Sequence, residues 1–511
     1  MQTLLGIDLG TTGVKAALFA EDGHVLADAF FDYPLSHLHP GWAEQQPSDW
    51  WQATTDAIRT CLHKAGQQGV QPSSVRGIGL SGQMHGVVLL DEQHKVLRPC
   101  IIWSDQRSDA QSHWMTERVG ARQLIEYVSN PALTGFTAPK LLWVRDNEPS
   151  IFAQARTLLL PKDYIRYRLT GEIAMEISDA AGTCLLDVQH GTWSQEVLAA
   201  LQLDPSLLPP VVASDAVCGH IKEEVATHTG LVVGTPVAGG GADNACGAVG
   251  NGVVSPGLAL VSIGTSGVVL AYAETPQVDT SGPIPRVHTF NHAVPHTWYL
   301  MGVTQGAGLS MRWVRDNIGL LERALERWTG VDAYDTLARE AESVPPGSEG
   351  LLFLPYLQGE RTPHLDAYAR GGWIGLSARH DRRHLIRSVM EGVAFSLKDC
   401  FSILQEQGLR IEQMRATGGG AKSSLWRQII ADVLDVELVT TNATEGPAFG
   451  AALLAGVAGG VYPSIQQACE QTVRITEHTA PQATTRATYD TAYATYQALY
   501  PALKPIISKP L

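Results

Sequence analysis

Two stretches of the chain, half a chain apart, share one arrangement of apolar and polar positions. Residues 4–19 contain two apolar runs separated by the turn Gly10-Thr11-Thr12-Gly13, and residues 258–272 contain two such runs separated by Gly264-Thr265-Ser266-Gly267. Each stretch predicts a strand, a tight turn and a second strand. A repeat at this separation predicts two similar lobes.

The hydrophobic pattern predicts further elements around each repeat. Further strands are expected at 24–33, 75–80, 87–90 and 96–103. Helices are expected at 50–63, 382–406, 425–434 and 447–458. Strands and helices therefore occur together in both halves of the chain.

The length of 511 residues exceeds what one hydrophobic core usually supports. Apolar residues make up 44% and charged residues 17% of the chain, a balance typical of folded domains rather than disorder. The turn-rich segment 251–257 lies directly before the second repeat. We therefore predict two α/β domains, an N-terminal lobe at 1–250 and a C-terminal lobe at 251–511.

Charge and cysteine content narrow the classes of function. A net charge of −14 argues against nucleic acid or an anionic membrane as a partner, because both need concentrated Lys and Arg. The seven cysteines are scattered and form no C-x-x-C pair, which predicts reduced thiols. The N-terminus has neither a basic segment nor an apolar signal core, so a cytoplasmic location is expected.

Both repeated turns have a composition suited to phosphate. Backbone N–H groups in a turn rich in glycine and hydroxyl residues can surround phosphate oxygens, and two lobes would hold a nucleotide from both sides. The alternative for either turn alone is an ordinary hairpin. The predicted nucleotide contacts in these turns are Thr11, Thr12, Gly264, Thr265 and Ser266.

The two copies differ before the turn, where Asp8 corresponds to Ser262. A carboxylate beside a polyphosphate repels it unless a divalent cation lies between them. Asp8 therefore predicts a contact with phosphate through Mg²⁺.

Asp243 is the candidate general base. It follows the glycine-rich segment 239–242 at the predicted start of a helix, a rigid support from which a carboxylate can accept a hydroxyl proton during phosphoryl transfer. The alternative is that Asp243 only caps this helix. Because a capping position lowers the pKa of a carboxylate, we expect Asp243 to be ionised at neutral pH.

Met84, His85 and Trp103 are candidates for contact with a small polar substrate. Met84 and His85 follow the predicted strand 75–80, where a loop can present them. A neutral imidazole can donate to and accept from sugar hydroxyls, and a thioether can cover an apolar sugar face. Trp103 can stack on a sugar ring. The alternative for each side chain is packing in the interior.

Glycines in the second half of the chain would allow the backbone to lie close to a flat ligand. Gly418, Gly419 and Gly420 form a run without the spacing of a Walker loop. Gly306 opens a turn before a predicted helix at 309–318, whose N-terminus can meet phosphate.

Five motifs together resemble the FGGY carbohydrate kinases and, within that family, the bacterial xylulokinases. The resemblance covers essentially the whole chain. The motifs are GIDLGTTG at 6–13, SGQMHG at 81–86, SDAAGT at 178–183, LPYLQGERTPH at 354–364 and GGGAKSSLWRQ at 418–428.

The resemblance implies an α/β fold of two ribonuclease-H-like lobes with a cleft between them, as in actin, hexokinase and the Hsp70 ATPase domain. It implies that Asp243 is the proton acceptor and that Asp8 is an activity-critical, catalytic carboxylate near metal and phosphate. It adds Asn244 to Met84 and His85 as a sugar contact. The ATP side would be lined by 264–266 and by the run from Gly418 to Ala421.

The activity implied by the resemblance is transfer of the γ-phosphoryl group of ATP, with Mg²⁺, to a terminal hydroxyl of a ketopentose, D-xylulose foremost. Related acceptors, namely ribulose, fuculose, gluconate and glycerol, are the nearest alternatives. A nucleotide-switched chaperone or filament protein with a similar opening loop is a distant alternative. A homodimer is implied by the resemblance alone.

Overall fold

The structure is a computed structural model that describes residues 1–282 and 284–508. The helices are α1 (Pro47–Gln67), α2 (Asp109–Val119), α3 (Ala121–Val128), α4 (Thr137–Asn147), α5 (Pro149–Gln154), α6 (Pro161–Thr170), α7 (Ile177–Ala180), α8 (Gln195–Leu201), α9 (Glu223–Thr229), α10 (Asp243–Gly250), α11 (Gly308–Asn317), α12 (Leu320–Thr329), α13 (Ala333–Glu342), α14 (Arg382–Glu406), α15 (Ser424–Leu434), α16 (Gly446–Ala458), α17 (Ile465–Thr472) and α18 (Arg486–Ile507). The strands are β1 (Thr3–Leu9), β2 (Gly13–Ala20), β3 (Val25–Asp32), β4 (Glu44–Gln45), β5 (Val75–Gly82), β6 (Val88–Leu90), β7 (Cys100–Ile101), β8 (Thr157–Leu159), β9 (Met175–Glu176), β10 (Leu186–Asp187), β11 (Thr192–Trp193), β12 (Val211–Val212), β13 (Val217–His220), β14 (Pro236–Ala238), β15 (Gly241–Ala242), β16 (Gly257–Ile263), β17 (Gly267–Ala273), β18 (His288–Asn291), β19 (Trp298–Thr304), β20 (Leu352–Leu354), β21 (Gly372–Ile374), β22 (Ile411–Thr417), β23 (Glu437–Thr441) and β24 (Ile475–Thr479).

The two repeated segments lie within two mixed seven-stranded sheets. The first has the order β13-β14-β5-β1-β2-β3, with β15 also paired to β5, and the second has the order β18-β19-β17-β16-β22-β23-β24. In each sheet, the strand before the phosphate turn pairs antiparallel with the strand after it and parallel with a later strand, β5 or β22. The predicted duplication is confirmed.

Helices cover both faces of the first sheet. Ile7 and Leu9 of β1 share a buried apolar cluster with Trp50 of α1. Leu4 of β1 and Phe19 of β2 belong to a different cluster on the opposite face, because side chains alternate along a strand. There Phe19 packs against Phe449 of α16, with ring centroids 5.0 Å apart. The sheet is thus the middle layer between α1 and α16.

Helix α16 approaches the first sheet more closely than side chains would ordinarily allow. A Cβ atom at Gly6 of β1, or at Gly77 or Gly79 of β5, would overlap a backbone carbonyl of α16. Glycine at these three positions lets the helix lie directly on the strands. A helix from the second half of the chain therefore forms part of the core around the first sheet.

The second sheet has its own helical layer and also shares a core with the first. Ala259 and Val261 of β16 pack in one cluster with residues of α14 and α15. Leu260 of β16 and Leu270 of β17 belong instead to the cluster that contains α10 and α16. One continuous apolar core thus joins the facing sides of the two sheets.

All seven cysteines are free thiols in the interior, as the sequence predicts. Within the ranges 1–282 and 284–508, no helix combines the length and apolar character needed to cross a membrane.

Candidate active site

The first phosphate turn is accessible and is fixed by two side chains from elsewhere in the first lobe. Thr12 is exposed at its tip. Gln45 Nε2 donates to the Thr11 carbonyl at 2.7 Å, and Trp103 Nε1 donates to Thr11 Oγ1 at 2.9 Å. Trp103, which is 46% exposed, therefore lies beside the phosphate turn and leaves much of its indole ring available to a ligand.

A cavity of ≈ 610 Å³ opens beside the second phosphate turn. Gly264 and Thr265 of the turn line it, together with Gly419 and Gly420 of the glycine run. The sequence placed all four on the nucleotide side, and the structure brings them together. A cavity of this size accommodates a nucleoside.

Several lining residues of this cavity were not singled out from the sequence. Trp426 lies within the quoted motif at 418–428, and Met311 and Arg312 lie in the helix predicted after Gly306, but Tyr334, Asp335 and Met390 come from helices that carry no phosphate motif. Asp332, which also lines the cavity, had a local signal, because an Asp after Gly330 is a typical start of a helix. Its carboxylate accepts from the Tyr334 N–H at 2.7 Å.

Gly306 has a structural position outside the cavity lining. A Cβ atom there would overlap the Pro355 carbonyl, so close backbone packing requires glycine. Gly308 lines the cavity in its place, and its N–H donates to the Gly264 carbonyl at 2.8 Å. The start of α11 thus supports the second phosphate turn through the backbone.

The remaining predicted residues on the nucleotide side lie around the cavity rather than on its lining. Gly418 has a φ of 86°, a backbone conformation that favours glycine. A Cβ atom at this position would overlap the backbone of Ile263. Ala421 is 5% exposed and packs in the core. Ser266 is half-buried in the second phosphate turn.

Asp8 lies at the end of β1 beside the first phosphate turn. Its Oδ1 is buried and has no hydrogen-bond partner among the described residues. Burial raises the pKa of Asp8 above its usual value, and the nearby charge of Glu445 raises it further. A buried carboxylate oxygen without a partner suits a hard divalent cation.

Protein side chains alone do not complete a metal site in the described part of the chain, where no group of three or more His, Cys, Asp or Glu residues converges. A Mg²⁺ ion held here would take its remaining ligands from phosphate and water, as this ion commonly does. The donor set at Asp8 therefore fits a nucleotide-bound Mg²⁺.

Asp243 reaches the same sheet edge as Asp8. Strand β5 runs between β1 and β15, and its Ser81 lies opposite Asp8 on one side and Gly241 on the other. Asp8 and Gly241 are therefore two strand spacings, roughly 10 Å, apart. Asp243 follows Gly241 by two residues and begins α10, so both carboxylates belong to one site.

The structure corrects the expectation about the ionisation of Asp243. The N-cap of α10 is Ala242, so Asp243 is not the capping residue. Its Oδ1 accepts from the Asn244 N–H at 2.7 Å and from Asn244 Nδ2 at 3.0 Å. Burial, followed by the charge of Asp8, raises the pKa of Asp243 to about 7. The predicted lowering is wrong because loss of hydration outweighs the helix terminus.

A buried polar network holds the backbone that precedes Asp243. The Ala242 N–H donates to Ser178 Oγ at 3.0 Å, and Ser178 Oγ donates to Glu176 Oε2 at 2.9 Å. Ser214 Oγ donates to Glu176 Oε1 at 2.6 Å. Lys162 Nζ lies 3.4 Å from Glu176 Oε2, and both side chains are fully buried. Because every link is shielded from water, the turn into α10 is rigid.

Three of the predicted sugar contacts, Met84, His85 and Asn244, lie together beside Asp243, whereas Trp103 lies at the first phosphate turn. Asn244 Nδ2 is 3.8 Å from Met84 Sδ. His85 has φ of 71°, a backbone conformation uncommon for a residue with a side chain. Lys140 Nζ donates to the His85 carbonyl at 3.2 Å and helps to hold this conformation.

The ring of His85 has defined donor and acceptor roles. Nδ1 lies 2.7 Å from the Gly182 carbonyl, which can only accept, so Nδ1 is the protonated nitrogen. Burial lowers the pKa of His85 to about 3, and the charge of Lys140 lowers it further. The ring is therefore neutral, and its Nε2 can only accept a hydrogen bond. A hydroxyl donor is the natural partner for this atom.

The structure has two related lobes with a phosphate turn in each, and two half-buried carboxylates lie at one sheet edge. These features define a two-lobed phosphotransferase of the ribonuclease-H-like type. The chain belongs to the FGGY family of carbohydrate kinases. Residues 3–250 match the family's N-terminal domain and residues 259–459 match its C-terminal domain. The predicted family and fold class are confirmed, and membership implies ATP as phosphoryl donor and a sugar as acceptor.

The chain is similar to curated and structurally characterised members of this family. A xylulose kinase of Bacillus subtilis is 42% identical over 454 residues, which cover 89% of this chain and 88% of that protein. A gluconokinase of the same organism is 32% identical over 452 residues, which cover 88% and 86%. The crystal structure of a "xyloylose kinase" from Brucella ovis has a TM-score of 0.90 at 39% identity and covers 99% of this chain and 100% of that one.

Proposed function

We propose that this protein transfers the γ-phosphoryl group of ATP to the terminal hydroxyl of D-xylulose, giving D-xylulose 5-phosphate. The observation that carries this conclusion is the grouping of Met84, His85 and Asn244 beside the half-buried carboxylate of Asp243. The similarity to xylulose kinases supports D-xylulose as the acceptor.

In the proposed reaction, Asp243 orients the attacking hydroxyl and takes its proton. A new bond forms between the sugar oxygen and the γ-phosphorus, the bond from that phosphorus to the β,γ-bridging oxygen breaks, and ADP leaves. Backbone N–H groups of the turns at Thr11 and Thr265 donate to phosphate oxygens as charge moves between them.

His85 and Asn244 position the acceptor. Nε2 of His85 accepts a hydrogen bond from one sugar hydroxyl, and the Asn244 amide can donate to another. Holding the sugar in this way lowers the entropy that must be lost in the transition state. The thioether of Met84 covers an apolar part of the sugar.

Mg²⁺ would be held by the unpartnered carboxylate oxygen of Asp8, with phosphate and water as its remaining ligands. When bound, it would neutralise charge on the phosphate groups. Asp8 itself then keeps a carboxylate near the phosphates without repelling them. We also propose the nucleotide-side roles of Gly264, Thr265, Ser266 and the run from Gly418 to Ala421, as well as a role for Gly306 in shaping the helix start beside the phosphates.

A panel of acceptors tests the proposed substrate. Ketopentoses, ketohexoses, gluconate, glycerol and xylitol are each mixed with Mg-ATP, and ADP release is recorded by a coupled assay. We expect kcat/KM for D-xylulose to exceed that for every other acceptor by roughly tenfold or more. A higher value for gluconate or ribulose would reject D-xylulose and assign the chain to another branch of the family.

The cytoplasmic location, a homodimer and the division of the chain at residue 250 also stay predictions. Fractionation of the source cells would test the cytoplasmic location, and sedimentation of the purified protein would test the homodimer.

A further inference from the structure

The segment Glu360–Arg361 of the second lobe belongs to a rigid loop whose role the sequence left unassigned. Glu360 is 3% exposed and accepts from Thr304 Oγ1 at 2.7 Å and from the Gln305 N–H at 2.8 Å. It also accepts from the Arg361 N–H at 2.7 Å. The backbone at Arg361 is therefore fixed to the end of β19.

The side chain of Arg361 extends from this loop to the first lobe. One of its terminal guanidinium nitrogens lies 3.8 Å from the position that a Cβ atom would take at Gly135. Gly135 adjoins the sugar side, because the Lys140 ammonium donates both to its carbonyl and to that of His85. Arg361 thus reaches across the cleft to the wall that carries His85.

The guanidinium of Arg361 has no protein partner in the part of the chain that the structure describes. No hydrogen bond or ion pair from this side chain is formed there, although the residue is only partly exposed. Burial is the main cause that lowers the pKa values of His85 and His288, and the charge of Arg361 lowers both further, so its guanidinium faces the same region as the two imidazoles. A partly buried guanidinium without a partner is costly unless a ligand supplies acceptors.

The chemistry of these surroundings restricts the ligand. The neighbours of Arg361 on this side, Lys140, His85 and His288, are basic or neutral and cannot accept its charge. Within the described ranges, no ion pair joins Arg361 to Asp243 or Asp8. The guanidinium presents parallel N–H donors, which match two neighbouring oxygen atoms. In an open-chain ketose, the C1 hydroxyl and the C2 carbonyl are two such oxygens, and they lie at the end remote from the phosphorylated hydroxyl.

We propose that Arg361 is a sugar-binding residue that donates to the C1 and C2 oxygens of the ketose from the second lobe. The inference rests on the proposed function and extends it to a residue outside the first lobe. Because His85 holds the same sugar from the first lobe, the acceptor would bridge the cleft. Sugar binding would then favour the closed arrangement of the two lobes.

An Arg361→Ala variant tests this role in the full-length protein. We expect KM for D-xylulose to rise roughly 10- to 100-fold, because a charge-assisted contact is lost, while KM for ATP changes less than about twofold. Methylguanidinium added at millimolar concentration should restore part of the lost kcat/KM by filling the vacated space. Arg410→Ala is the matched control, because that arginine is exposed and forms a surface ion pair with Glu412.

A substrate lacking one contact separates direct binding from a structural effect. With the original protein, 1-deoxy-D-xylulose should have a kcat/KM roughly tenfold or more below that of D-xylulose. With Arg361→Ala, this ratio should approach one, because the lost hydroxyl no longer has a partner. An unchanged ratio in the variant would overturn the proposal, as would a change in KM for ATP alone.

Two further variants keep the test decisive if alanine impairs folding. Arg361→Lys keeps the positive charge but lacks the two parallel N–H donors of the guanidinium, and Arg361→Gln removes the charge. Circular dichroism identifies the folded variants, and loss of the D-xylulose preference in both would support the contact, whereas retention in both would reject it. Failure of D-xylulose in the acceptor panel of the original protein would reject the proposed function itself, and the two results are therefore distinguishable.

Discussion

Asp243 and Asp8 are two carboxylates at one sheet edge with different expected tasks. Burial and the charge of Asp8 raise the pKa of Asp243 to about 7. A carboxylate with this pKa is a stronger base than an ordinary aspartate and is about half ionised at pH 7. Asp8 has a buried oxygen without a partner and is better suited to meet a cation.

An Asp243→Asn substitution should lower kcat by at least ~100-fold, because the amide cannot take the proton of the attacking hydroxyl. KM for ATP should change little. The coupled ADP assay measures both quantities. Asp109→Asn, at an exposed position on α2, is the control and should retain full activity. Turnover of Asp243→Asn within a few fold of the original protein would exclude the role of general base.

The rate should depend on pH near neutrality. Protonated Asp243 cannot act as a base, so kcat is expected to fall roughly tenfold for each unit of pH below 7 and to level off above it. An aspartate with its usual pKa would keep the rate constant down to about pH 4. A kcat profile between pH 5 and 9 at saturating Mg-ATP distinguishes the two. A flat profile over this range would contradict the raised pKa.

At the scale of elements, the polar network behind β15 positions the start of α10. Replacing Ser178 by Ala leaves the buried Ala242 N–H without its acceptor. We expect kcat to fall roughly tenfold as the base loses its alignment, with KM for ATP unchanged. Steady-state kinetics of Ser178→Ala, with exposed Ser150→Ala as control, tests this. If Ser178→Ala raises only KM, the network does not position the base.

The close contact between α16 and the first sheet predicts that a side chain at the contacting glycines lowers the stability of the protein. Gly79→Ala would place a Cβ atom against the Ala451 carbonyl and should cost about 1–3 kcal/mol of stability. Gly66 lies in α1 with open space around it, so Gly66→Ala should be neutral or slightly stabilising. Thermal midpoints of both variants measure the difference. Equal midpoints would mean that α16 can move away from the strands.

The sequence predicted long periodic elements better than short ones. The helix expected at 382–406 is observed as Arg382–Glu406, and the strand expected at 75–80 as Val75–Gly82. The strand expected at 96–103 is wrong in extent, because only Cys100–Ile101 forms a ladder, with Glu44–Gln45. Pro99 supplies no N–H, and Arg98 pairs with Glu44 and Glu148. Such short pairings depend on partners far along the chain.

At the scale of the whole molecule, the two sheets share one core. Trp298 Nε1 in β19 donates to the Val188 carbonyl at 2.7 Å, and Asn291 Nδ2 donates to the same carbonyl at 3.0 Å. Asn130 Oδ1 lies 3.1 Å from His288 Nδ1. These contacts and the intervening α10 and α16 connect the halves at the base of the cleft.

A fragment of residues 1–250 should not fold cooperatively by itself. It lacks α16, which covers the glycine-lined face of the first sheet, and would expose that apolar surface to water. We expect a broad thermal transition and binding of a hydrophobic dye. Co-expression with residues 251–511 should restore a sharp transition. A fragment that melts sharply without its counterpart would contradict this coupling of the lobes.

Local pattern by itself determined the repeated strand–turn–strand units, the long helices, the family and the chemical types grouped around Asp243, because these depend on residues close together in sequence. Tertiary structure decided the raised pKa of Asp243, the position of Gly306 outside the cavity, the contribution of Tyr334 to its lining and the reach of Arg361 across the cleft. Each of these depends on burial or on contact between segments that lie far apart in the sequence, from about fifty to more than two hundred residues. Neither hydrophobic periodicity nor motif spacing contains that information.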